Sequence, residues 1–153
     1  MKRLKILMVF CISLFAGSSA FSQSSFLDLT IVESSNYNRP VAMFTYSNFE
    51  NMFRITSNNR PPVVESNINR ALTLFLGLLE PEKSYVIQHE PTYYFVFQYV
   101  ARENRYLVMN NSIGERNEAV FRDDFRSALR EMFILLQTFY NNIPMISVKE
   151  FRQ

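Results

Sequence analysis

A chain of 153 residues, 48% hydrophobic and 20% charged, has the size and composition of one globular domain with a core of its own, and neither suits a disordered or fibrous protein. The formal charge of +2 belongs to the precursor. Setting aside an N-terminal leader that carries Lys2, Arg3 and Lys5 takes the 16 basic residues to 13, against 14 acidic ones. A chain so close to neutral gives no electrostatic ground for a nucleic-acid partner or an acidic membrane surface.

The leader itself is residues 1–22. A basic start precedes an apolar run from Ile6 to Phe15, and small residues follow at Ser18-Ser19-Ala20 and Ala20-Phe21-Ser22. That is the pattern of a secretory signal peptide cleaved after Ala20 or Ser22. The run is too short to span a bilayer, which needs about 20 apolar residues. Cys11 is the one cysteine of the sequence and lies inside the run, without the small residue before it that a lipid-attachment site would show. The mature chain, 23–153, is therefore expected to be exported, periplasmic or secreted, as a single disulfide-free α+β domain with no stable membrane span.

Alternating apolar residues predict a strand over 25–33, followed by a loop through Ser34 to Pro40. Strands are expected at 41–46 and 52–56 around a turn at Ser47 to Asn51, with a short helix at 48–56 as the competing reading. Ser57 to Pro62 is a break. Ile68, Leu72, Phe75, Leu76 and Leu79 then step by three and four, predicting a helix over 63–79 with Pro61 and Pro62 at its start and Glu80-Pro81 at its end. A strand is expected at 85–89. The strongest β signal follows: Tyr93 to Ala101 and Arg105 to Asn110 are aromatic and β-branched around a Glu103-Asn104 turn, predicting a hairpin. Phe121, Phe125, Leu129, Met132 and Leu136 predict the longest helix over 118–141, stopped by Asn141-Asn142 and Pro144. Met145 to Val148 would add a last edge strand.

One stretch repeats. Phe44, Tyr46, Glu50, Asn51, Phe53 and Ile55 match Phe97, Tyr99, Glu103, Asn104, Tyr106 and Val108 at a fixed offset. Ala71-Leu72 and Leu78-Leu79 match Ala128-Leu129 and Leu135-Leu136 after a small insertion. The expected architecture is an antiparallel sheet of about six to seven strands with both helices on one face, built from a duplicated unit of three strands and a helix.

Catalytic chemistry finds little support. His89 is the one histidine, and the adjacent Glu90 falls on the opposite side of a strand, so His89 reads as a polar edge-strand residue. No set of ligands stands at metal spacing, no Gly-x-Ser-x-Gly elbow is present, and no glycine cluster could cradle a phosphate; no cofactor is expected. Gly77 reads as a close-packing position inside the first helix. Glu50-Asn51 and Glu103-Asn104 are turn residues first and ligand-gripping pairs second, because Asn tolerates a positive φ. Arg122, Arg126 and Arg130 step by four and read as a solvated face paired with Glu118 and Asp123 rather than an anion ladder.

The functional hint is the second side of the hairpin. Tyr93, Phe95, Phe97 and Tyr99 are expected under the helices. Tyr94, Val96, Gln98 and Val100, with Leu107 and Met109, then form a patch on the reverse. It either meets a protein partner or a second copy, or is covered by the chain's own N-terminal strand, C-terminal tail or a sheet curled on itself. The reading that follows is a non-catalytic binding or adaptor protein. The alternatives are a small carboxylate hydrolase, which needs two acids in one cleft, and a structural subunit of an envelope assembly.

Overall fold

The computed structural model describes residues 28–35, 40–47, 49–90, 93–112 and 119–142. The expected leader and the expected strand at 145–148 lie outside them.

Eight strands form one antiparallel sheet: β1 (Leu29–Glu33), β2 (Pro40–Ser47), β3 (Met52–Ser57), β4 (Arg60–Glu65), β5 (Tyr85–Glu90), β6 (Tyr93–Val100), β7 (Arg105–Ser112) and β8 (Ala119–Arg122). Helix α1 (Ile68–Leu76) follows β4, and α2 (Phe125–Asn141) follows β8. The α+β class and the placement of both helices on one face agree with the sequence reading. The strand count is higher: β4 takes the end of the expected break and the start of the expected helix at 63–79, and β8 the start of the expected helix at 118–141.

The chain over 60–65 is not the first turn of a helix. Pro61 and Pro62 lie in β4, an outer strand, at an irregularity in its pairing with β3 that leaves both out of the ladder. Val63 and Val64 extend it. Helix α1 starts only at Ile68, after Asn67 accepts a hydrogen bond from the Arg70 amide at 3.0 Å. Likewise Ala119 to Arg122 form β8, and Asp124 caps α2 by accepting from the Ser127 amide at 2.8 Å. The competing helix at 48–56 is absent; β3 occupies that stretch from Met52 onward.

The strand order is β4-β3-β2-β1-β5-β6-β7-β8, so each half is a four-strand meander closed by a helix. The registers of the halves agree. Leu29 pairs with Phe44 and Tyr85 with Phe97; Tyr46 pairs with Phe53 and Tyr99 with Tyr106; Ile55 pairs with Val63 and Val108 with Val120. At the centre Ile31 pairs with Ile87, each two residues past the matched Leu29 and Tyr85.

Side chains alternate across the pleat, so the buried strand residues fall on the helix side, with the exception of Val32, which is buried on the other face. Phe44, Phe53, Ile87, Phe95, Phe97 and Val108 meet Ile68, Leu72 and Phe75 of α1 and Ala128, Met132 and Leu136 of α2 in one core. Aromatic rings dominate it: Phe44 lies 5.3 Å from both Phe53 and Phe75, and Phe97 lies 5.9 Å edge-on to Phe125. Each fully buried Phe contributes about 1.5–3 kcal/mol relative to exposure.

Two smaller expectations need correction. Gly77 is not inside a helix; it is the C-cap of α1, and a methyl there would meet its own helix's carbonyls, Thr73 O at 3.2 Å and Leu74 O at 3.4 Å. Arg122 is not on a helix; it stands in β8 and reaches Glu131 of α2 at 2.6 Å. Asp123, expected as the partner of Arg126, lies 3.7 Å from Arg105.

Candidate functional site

Two places on the molecule combine exposure with patterned chemistry: the sheet face without helices, and a cleft at one end of the helix side.

The six residues singled out from sequence share the open face. Val96 pairs with Met109, Gln98 with Leu107, and Val100 with Arg105, while Tyr94 stands opposite Asn111. Gln98 is exposed and the other five are half-buried. β1 does not cover them, because it lies within the sheet between β2 and β5. Registers extend the patch in both directions. Val32, Val86, Val96 and Met109 form one unbroken apolar row across four strands, ending at Ala119. Leu107 pairs with Phe121, which is 42% exposed, and Met43 and Val64 are similarly open farther along.

Charge on this face lies at its margins. Arg54 is exposed on β3. Arg105 sits 4.6 Å over the Phe121 ring and 3.7 Å from both Glu103 and Asp123. Its Nε is buried without a hydrogen-bond partner, because Asp123 is beyond bonding distance.

The cleft escaped the sequence reading. It encloses about 550 Å³ between the end of β1, the start of β2, the β3–β4 turn and the segment after α1. Pro40, Val41 and Leu78 supply apolar wall; Ser57, Asn58 and Asn59 supply amide and hydroxyl groups; Glu33, Glu80, Arg60 and Lys83 supply charge. Lys83 Nζ meets Glu80 at 2.5 Å, and this bond and charge hold its ammonium above the ordinary lysine value. Tyr85 Oη accepts the Glu80 amide at 3.1 Å. Burial pushes the Tyr85 phenol up from its usual range. Asn58 Nδ2 donates to Pro40 O at 2.7 Å, tying the turn to β2. No ion pair joins Glu33 or Arg60 to another described residue.

At the matching end of the second half there is aromatic packing instead. Phe139 lies 4.9 Å from His89, 5.2 Å from Tyr93 and 5.6 Å from Phe95. The register match pairs Phe95 with Ala42, and the sequence offsets set His89 and Tyr93 level with Glu33 and Pro40, past irregularities at which the two registers part. His89 is thus in a central strand, between β1 and β6, and not at an edge; its Nδ1 stands 3.1 Å from Asp28 O. Tyr140, fully buried beside Phe139, has its phenol pushed well up by burial and then by the Asp28 charge.

The remaining candidates take structural roles. Asn51 and Asn104 hold φ of 54° and 49° at the tips of the β2–β3 and β6–β7 hairpins. Tyr46 and Tyr99 donate their hydroxyls to Asn51 Oδ1 and Asn104 Oδ1. Among the described residues no group of three His, Cys, Asp or Glu could hold a metal ion, and no helix is long and apolar enough to cross a membrane. No protein family, curated protein or solved structure matches the chain.

Proposed function

We propose that this is an exported, non-catalytic binding protein that docks a protein partner on the open sheet face. The observation that carries the reading is the half-buried row Val86-Val96-Met109, continued by the buried Val32, on the side both helices leave free. A continuous apolar row of this kind is characteristic of contact surfaces. The occupant is a foreign protein rather than a second copy. Of the described charges flanking the row, Arg105 is answered by Glu103 and Asp123 while Arg54 is in no ion pair with a described residue, so an apolar segment with an acidic flank would meet Arg54 favourably. We read the repeated meander and helix as an internal duplication, supported by the matched registers, caps and turns; its unit has four strands where three were expected.

A photo-crosslinking residue at Val96 tests the proposal in the producing cell, with the same residue at Ile134 on the outer side of α2 as control. A discrete adduct at Val96 alone, lost in Met109→Glu, is the expected result. An adduct of two copies of the chain would replace the foreign partner by self-association. No adduct beyond the control would remove the sheet-face reading.

The hydrolase alternative gains one observation, since Glu33 and Glu80 line the same cleft. Against it, Glu80 is engaged by Lys83, and no nucleophile–base pair lies in the cleft.

A further inference from the structure

The cleft carries an inference that is independent of the sheet face. Its charges divide into two sets. Glu80 and Lys83 satisfy each other at 2.5 Å. Glu33 and Arg60 remain, one carboxylate and one guanidinium on the same concavity, neither in an ion pair with another described residue, with Glu33 near enough to Lys83 to help raise its ammonium. Beside them Val41 and Leu78 offer a short apolar wall. In the second half the matching space is taken by Phe139, so the opening is a specific omission rather than general looseness. At about 550 Å³ it has the size of a small-molecule site.

We infer that this cleft binds a small zwitterion of the amino-acid or dipeptide class, with Arg60 taking the carboxylate, Glu33 the ammonium, and Val41 and Leu78 an aliphatic side chain. A guanidinium fits a carboxylate through two parallel N–H donors, and a carboxylate accepts an ammonium at close range. A ligand bearing both charges neutralises both groups at once. A simple anion or amine leaves one of them unanswered.

Amide chemical shifts of ¹⁵N-labelled protein test this with three probes: alanyl-leucine, leucinamide, which lacks the carboxylate, and 4-methylpentanoate, which lacks the ammonium. The dipeptide should shift the amides of Asn58 to Arg60 and Lys83 to Tyr85 saturably, and the one-charge probes should bind at least about tenfold more weakly. Glu33→Gln and Arg60→Gln should each weaken the dipeptide about tenfold, the loss expected for one charge-assisted hydrogen bond. Pro40→Tyr, which copies the Tyr93 position of the other half, should block the cleft while keeping the Pro40 carbonyl that Asn58 uses. Arg126→Gln, exposed on α2 and outside the cleft, should leave dipeptide binding unchanged. Equal binding of a one-charge probe, or a well-dispersed spectrum in which no probe shifts these amides, overturns the inference.

Discussion

The two halves of the molecule share a register and differ at one end. In the second half α2 runs to Asn141 and lays Phe139 and Tyr140 over the sheet beside His89, Tyr93 and Phe95. In the first half α1 stops at Leu76, Pro81 forbids its continuation, and the strand positions below are Pro40 and Ala42. One end is therefore a plug of rings, and the other is a polar cleft. The same scaffold supports both because the matched core residues Phe44, Phe53, Phe97 and Tyr106 are buried in each half, and Tyr140 of the plug also reaches Phe44 at 5.9 Å.

The largest effect should come from removing the plug. Phe139→Ala is expected to cost about 2–4 kcal/mol, because the rings of His89, Tyr93, Phe95 and Tyr140 lose a partner and the space refills poorly. Leu78→Ala, at the wall of the cleft, should cost about 1 kcal/mol, since water already reaches that side chain. Urea denaturation with unchanged m-values measures both. Equal costs would break the contrast between a packed end and an open one.

Alkaline stability sharpens the same contrast. Tyr85 at the cleft and Tyr140 in the plug both have phenols raised above the ordinary value, Tyr140 the further of the two. Lys83 is raised as well. A group whose folded pKa is raised stabilises the fold fully below its unfolded value and loses that contribution as pH climbs through the folded one. The fold should thus hold to roughly pH 10 and weaken above it. Tyr140→Phe should flatten this decline more than Tyr85→Phe does. Phenolate absorbance followed together with near-ultraviolet circular dichroism provides the check. If Tyr85→Phe has the larger effect, the plug is not the drier end.

The sequence made the sheet face legible because period-two alternation in Tyr93 to Val100 assigns a side to every residue, whichever strands lie beside it. The hairpin turns were legible from Asn51 and Asn104. β4 was not, since Pro61-Pro62 before a periodic run is also how helices begin, and only the sheet edge distinguishes the cases. β8 was hidden by Phe121, which stands four residues before Phe125 and continues the helical stripe by coincidence. The cleft was invisible for a different reason. It consists of what is missing, small residues and an early proline where the other half has rings, and no motif records an omission.

The smallest effect tests whether the halves are equivalent where they look alike. Asn51 and Asn104 both adopt left-handed backbone, and each accepts a tyrosine hydroxyl from five residues before it. Replacing either with Ala should cost about 1 kcal/mol, mostly the steric penalty of a β-carbon at positive φ, while Gly should be tolerated with a smaller loss. The hydroxyl bonds are exposed, so Tyr46→Phe and Tyr99→Phe should each lose no more than about 0.5 kcal/mol. The two Ala variants should agree within about 0.5 kcal/mol, a margin typical of independent surface sites. A larger difference would mean that one hairpin tip is stabilised by something the other lacks. The correspondence of the halves would then stop at the backbone.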